Sequence, residues 1–291
     1  MPSSDIACHP FASTGKGSIG VERTPNNGGV TSMKSTFTVR LGSLAGAALA
    51  AGVVASMPVG AETLVEQVTD TRLVLAFRVD PAELQKVFPG PWDIVGTAAG
   101  PAKDANFNVI FYDRMLQQDG AGASMGPPYR FIVFTAVVKP KEASAAASVV
   151  GRIYASDPKR VPGPYKNSLL STVERRTVIE TGSSEPGTVE ETWEVRAPPN
   201  HTISLSVKYE KTTPARQKSE GKVYSSVDTA FYRIYRWDLL AEVAKSDPGG
   251  IDHVKSYRFN ATIPDYANLF SSAQLVAIIS QPMYVRSVWL P

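Results

Sequence analysis

The chain has 291 residues, a formal charge of +3, three histidines and one cysteine, Cys8. One cysteine and so few histidines leave no Cys/His set for zinc, and no metal or cofactor is expected. Without a basic stripe or zinc-finger spacing, nucleic acid is not an expected partner.

Residues 1–32 are polar and rich in Gly, Pro and Ser, either a disordered leader or sequence upstream of a true start at Met33. Lys34 and Arg40 then precede an uncharged run from Leu41 to Met57, closed by "PVGAE" with small residues at Val59 and Ala61. A basic start, an apolar run and a small-residue exit predict a secretory signal over 33–61, hence a periplasmic or secreted product. The run is too short and too rich in Gly and Ala for a convincing membrane span, and an uncleaved anchor is the alternative. Four basic and two acidic residues lie before Glu62, so the exported chain would fall from +3 to +1. The remainder, 62–291, is long enough for one sizeable core and is read as a single domain.

That remainder reads mainly as strands. "TRLVLAFRV" (Thr71–Val79) is rich in β-branched and aromatic residues and runs into "DPAELQKVFPGP", where Asp80 can cap, Pro81 opens a helix, and Pro89 and Pro91 end it. Further strands are expected at Phe107–Leu116, Tyr129–Val138 and Ala147–Ser156. Leu170–Glu180, Thr188–Arg196 and Thr202–Glu210 suggest a meander. "KVYSSVDTAFYRIYRWDLLAEVAKSDPGG" is ambiguous, strand-like at Phe231–Trp237 and helical at Asp238–Ala244. "IDHVKSYRFNATI" returns to strand character, "PDYANLFSSAQLVAIISQP" suggests a short surface helix before a strand, and "MYVRSVWLP" is a closing strand. Strands that do not alternate regularly with helices exclude a doubly wound parallel sheet. They point to a mainly β fold (α+β with few short helices), an antiparallel or mixed sheet system, closed or sandwiched.

Strict alternation in "VVGRIYAS" would put Val150, Arg152, Tyr154 and Ser156 on one face, where an arginine beside a tyrosine can bind a carboxylate; the bland alternative lays the Arg152 stem over a sheet edge. Lys159 precedes Arg160, and a neighbouring cation favours the neutral, nucleophilic amine; adjacent basic residues are also common on solvated turns. Lys166, flanked by Tyr165 and Asn167, has no such neighbour in sequence and would need burial. Asp113 and Arg114 point to opposite faces, and either could serve a pocket or a salt bridge. Glu191 and Glu194 read as solvated hairpin positions. The cluster Phe231, Tyr232, Tyr235 and Trp237 reads as core.

"LAFRVDPAELQKVFPGPWDI" (Leu75–Ile94) resembles the early segment of acetoacetate decarboxylase-like proteins, and "GRIYASDPKR" (Gly151–Arg160) is similar to a later Gly-Arg-Glu…Pro-Lys-Lys segment. The resemblance implies closed, cone-like antiparallel sheets around a pocket for a small carboxylate or oxo acid. Lys159 would then be the Schiff-base lysine of a lyase, Lys166 its rival under a shifted alignment, and Arg160 the activating cation. Arg152, Tyr154, Asp113 and Tyr165 are the candidate substrate-binding residues. Ile153 and Arg160 depart from the pattern, and the glutamate expected between Asp113 and Tyr129 has no counterpart. A catalytic lyase, a non-catalytic small-ligand binder and a structural envelope domain therefore stay open, as does homo-oligomerisation.

Overall fold

The computed structural model describes residues 62–160, 165–181 and 186–291; the expected leader and signal, 1–61, lie outside the described residues. Alternating apolar and polar residues set the plan. β1 (Thr63–Arg78) leads into helix α1 (Pro81–Val87), where the Asp80 carboxylate accepts from the Ala82 amide. This cap satisfies one of the otherwise orphaned first-turn donors. β2 (Trp92–Ile94), β3 (Phe107–Asp119), β4 (Tyr129–Pro140), β5 (Ala147–Ala155) and β6 (Ser168–Leu170) follow. The expected meander is β7 (Thr172–Glu180), β8 (Thr188–Ala197) and β9 (His201–Glu210). Next come β10 (Ala215–Ser225), β11 (Tyr232–Ser246), β12 (Ile251–Asp252) and β13 (Val254–Thr262). A 3-10 turn (Pro264–Tyr266), α2 (Ala267–Ser272) and β14 (Gln274–Leu290) finish the chain.

Two elements differ from expectation. Asp238–Ala244 is strand, inside the 15-residue β11, although its composition favours helix. β11 lies between β10 and β14, so ladder hydrogen bonds on both sides override a weak local preference. β14 runs through Pro282 because its ladder slips there: Tyr284 faces Asp70 and Gln281 faces Arg72, leaving the proline at the irregularity.

The strands form a ten-stranded and a four-stranded sheet, the latter ordered β13-β9-β8-β7. In the larger sheet, pairing runs β4-β3-β1-β14-β11-β10-β5, and β5 pairs with β4 again, so the path returns to its start. Most pairs are antiparallel, but β10–β5 and β5–β6 are parallel, so the sheet is mixed. Among the described residues no helix is long and apolar enough to cross a membrane.

β1 and β3 show how one sheet serves two surroundings. Leu73, Leu75, Phe77, Phe107, Val109 and Phe111 pack against Trp193, Val195, Leu205 and Val207 of the small sheet in the main core. Residues of opposite parity, among them Arg72, Ile110, Tyr112 and Arg114, look the other way and line a cavity. Since a strand turns successive side chains to opposite faces, every position on these strands is committed to one or the other.

Candidate functional site

The cavity has a volume of about 190 Å³. β3 contributes Ile110, Tyr112 and Arg114; β4 contributes Tyr129, Phe131 and Val133. Arg72 comes from β1, Tyr235 and Trp237 from β11, and Tyr284 and Arg286 from β14. One end is walled by Ile110, Val133, Val150 and Ile153, while guanidinium groups and phenols define the other.

The polar end is a network of buried charge. Asp70, 0% exposed, accepts from Arg72 Nη2 at 2.7 Å and from Arg114 Nε at 2.8 Å. Glu66 faces Arg286 at 3.2 Å, Arg233 at 3.5 Å and Arg114 at 3.7 Å. Aromatic rings cover what the carboxylates leave. The Arg72 guanidinium lies 3.1 Å from the Tyr284 ring centroid and Arg286 lies 4.1 Å from that of Tyr235. Such cation–π contacts stabilise a desolvated cation without neutralising it. Arg114 is fully engaged, its remaining nitrogen donating to the Tyr129 hydroxyl at 3.0 Å. Arg72 and Arg286 are not: the Nε of each is buried without a partner.

Burial pushes the Asp70 carboxyl up, but Arg114 and Arg72 outweigh it and hold the group at about 2. Burial acts downward on the Arg286 guanidinium, yet Tyr235 and Glu66 more than offset it, and the group stays charged. Burial raises the Tyr112, Tyr129 and Tyr165 hydroxyls above the ordinary tyrosine value, so all three are neutral at pH 7. This chemistry suits anion recognition: unspent N–H donors on permanent cations, inside a site with apolar walls.

The residues singled out from the sequence are scattered around this site. Tyr165 lines the cavity, its hydroxyl 2.9 Å from that of Tyr235. Lys159 is exposed and does not line it. Lys166 does not line it either: its side chain is 59% exposed, with the amine 3.9 Å from Asp228. Arg160 lies against the outer side of Tyr129, 4.3 Å from the ring centroid, with its guanidinium on the Pro127 carbonyl and Gln117. The one lysine at the wall, Lys222, has its ammonium over the Tyr232 ring at 4.6 Å. Tyr232 is not a lining residue of this cavity.

Arg152 and Tyr154 face away from the cavity, and a β-bulge is the reason. Val133 pairs with Ile153 but Thr135 pairs with Val150, so Gly151 and Arg152 together oppose Phe134. The extra residue reverses the alternation. Val150 and Ile153 therefore line the cavity, whereas Arg152 reaches Asp265 at 3.1 Å and Tyr154 meets His201 Nδ1 at 2.9 Å. Gly151 is required there, since a Cβ would sit 2.5 Å from the Phe88 ring.

Asp113 also faces away from the cavity. It pairs with Arg175 at 3.0 Å and Arg130 at 3.3 Å, and Arg175 continues to Glu191 at 3.0 Å. Glu191 is thus no solvated hairpin position; it is 3% exposed and also accepts from the Trp193 indole at 2.6 Å. Sequence reading missed Glu66, Asp70, Arg72, Tyr284 and Arg286. The usable signal was the recurrence of charge at even spacing on one face of β1, Glu66, Asp70 and Arg72.

No protein-family model matches the chain, and no curated protein does. Among solved structures it is similar to the enduracididine biosynthesis enzyme MppR complexed with pyruvate, at 10% identity and a TM-score of 0.49, over 78% of this chain and 88% of that one. It is also similar to an acetoacetate decarboxylase-like enzyme from Sphingomonas wittichii RW1, at 11% identity and TM-score 0.48, over 77% and 90%. For the acetoacetate decarboxylase of Legionella pneumophila the values are 10%, 0.43, 79% and 86%. The expectation of a periplasmic or secreted product is set aside: the proteins of these structures are described as a biosynthesis enzyme, an acetoacetate decarboxylase-like enzyme and an acetoacetate decarboxylase.

Proposed function

We propose that the protein binds a small organic carboxylate, an oxo acid included, non-covalently in the arginine-lined cavity. Residues 62–291 act as one binding unit whose ring of paired strands forms a cone-like wall. The observation that carries this reading is the pair of buried, unpartnered Nε donors on Arg72 and Arg286, both at the cavity wall. A buried donor without a partner costs about 1–3 kcal/mol, more for a charged group, and a carboxylate removes that penalty. Ile110, Phe131, Val133 and Val150 provide contact for the apolar part of the ligand.

Imine chemistry is not part of the proposal. A Schiff base needs a neutral amine that meets the substrate carbonyl, and Lys159 and Lys166 are both exposed away from the cavity wall. Arg160 has no lysine amine inside the cavity to activate.

Titration calorimetry on the full chain tests the reading, using butyrate, 2-oxobutyrate and benzoate against their uncharged amides. The acids bind and the amides do not. The double variant Arg72→Gln/Arg286→Gln loses acid binding at least tenfold while keeping its far-UV circular dichroism. Equal binding of amides and acids, or no binding of any acid, overturns the proposal.

A further inference from the structure

The charges around the cavity do not balance. Four guanidinium groups, those of Arg72, Arg114, Arg233 and Arg286, stand against two carboxylates, Glu66 and Asp70. Neutral tyrosines cannot supply the missing negative charge: burial keeps Tyr112, Tyr129 and Tyr165 protonated. Arg160 outside Tyr129 adds a further cation, on the Pro127 carbonyl and Gln117 and not on an acid. Uncompensated charge in a low-dielectric interior is strongly unfavourable, so surplus cations beside an open space mark a site built for an anionic occupant.

Three of these four guanidinium groups keep a buried Nε without a partner, those of Arg72, Arg233 and Arg286; of the three, Arg72 and Arg286 line the cavity, and these two are separate. Along the β1–β14 ladder Arg286 lies opposite Val68, Tyr284 opposite Asp70, and Arg72 opposite Gln281. Arg72 and Arg286 thus reach the cavity from neighbouring strands, about four residues or ~13 Å apart at the backbone, with Tyr284 between them. Each spends one terminal nitrogen on its own carboxylate, Asp70 or Glu66, and each has an idle Nε. The cavity's 190 Å³ is room for roughly six waters at ~30 Å³ each, the size class of a four- or five-carbon acid.

We infer that the occupant is a small dicarboxylate, one carboxylate taken by Arg72 and the other by Arg286, with its methylene stem against the apolar wall. This rests on the carboxylate-binding reading above and narrows it. A monocarboxylate would satisfy one arginine and leave the other buried and unmatched.

Calorimetry at fixed ionic strength compares succinate and glutarate with the matched monoacids butyrate and pentanoate, and with sulfate as a dianion lacking a stem. The diacids bind at least tenfold more tightly than the monoacids and than sulfate. Arg72→Gln and Arg286→Gln, taken singly, each bring diacid affinity down to the monoacid level and change monoacid affinity less than threefold, because one arginine remains. Should a glutamine variant not fold, the wild-type affinity ratios still decide. Monoacids binding as tightly as diacids overturns this inference and leaves carboxylate binding intact; sulfate matching the diacids overturns it in favour of an inorganic dianion. If no acid binds, both readings fail.

Discussion

Asp113 and Arg114 are neighbours in sequence and belong to opposite arrangements of charge. On the outer face of β3, Asp113 joins a set in which Arg130 and Arg175 meet Asp113 and Glu191, two cations for two anions. On the inner face, Arg114 belongs to a set of four arginines and two acids. The balanced set ties β3, β4 and, through Thr71, β1 to the small sheet, and it borders a filled core. The unbalanced set borders a cavity. Ion pairs of similar length can thus serve as a cross-link or as a receptor, and the count of charges distinguishes them better than the distances do.

The contrast can be attacked through its stability consequences. Asp70→Asn has the largest expected effect, because it strips the inner set of its central anion, leaving Arg72 without its counter-charge and Arg114 with only Glu66 at 3.7 Å; removing one partner of a buried pair costs about 3–5 kcal/mol. Urea unfolding measures it. The same carboxyl gives an acid signature: its folded pKa, about 2, lies below the ordinary 3.8, so the unfolded chain takes up the proton first. Roughly 2 kcal/mol of stability is present above pH ~4 and is lost as the pH falls towards 2, and Asp70→Asn flattens that slope.

Arg175→Met comes next. It leaves Asp113 and Glu191 partly buried with less compensation, at about 2 kcal/mol, and succinate affinity is unchanged. Arg72→Gln sharpens the comparison by its size: Asp70 keeps Arg114 and the surplus of cations falls by one, so the loss stays below about 1 kcal/mol while diacid binding falls. A loss as large as that of Arg175→Met would show that the inner set is a cross-link too.

His201 gives a smaller effect. Burial first, then Arg152, lowers its pKa, so the imidazole is neutral in the fold where the unfolded chain would be protonated. Stability contributed by this group is present above pH ~6.5 and declines as the pH falls below it, and a His201→Phe variant followed by thermal unfolding from pH 7.5 to 5 lacks that decline. Lys159→Met and Lys166→Met change neither stability beyond about 0.5 kcal/mol nor acid binding, as is usual for exposed positions. Borohydride reduction in the presence of 2-oxobutyrate labels neither lysine; a labelled Lys159 would restore the covalent reading.

Period-two alternation and turn residues made most strands legible, because those signals are local. β10 escaped notice: "ARQKSEGK" is charged and exposed through its first half, and only its neighbour β11 makes it a strand. The face assignment of Arg152 and Tyr154 failed at a bulge, a feature fixed by the register with β4 and not by β5 itself. The cavity was hidden for a different reason. Arg286 and Glu66 are 220 residues apart and Arg114 and Asp70 are 44 apart, so neither pair exists until the sheet brings their strands together. Tyr165 was singled out as a candidate binding residue beside Lys166; the contact that holds it at the wall, with Tyr235 on β11, is 70 residues away in sequence.

The bulge at Gly151 and Arg152 also bears on how this chain should be aligned with others. A relative one codon shorter at that point would run straight opposite Phe134 and still present Val150 and Ile153 inward and Tyr154 outward. A gap there is silent for the chamber's chemistry. A single-residue gap elsewhere in β5 would turn the lining inside out.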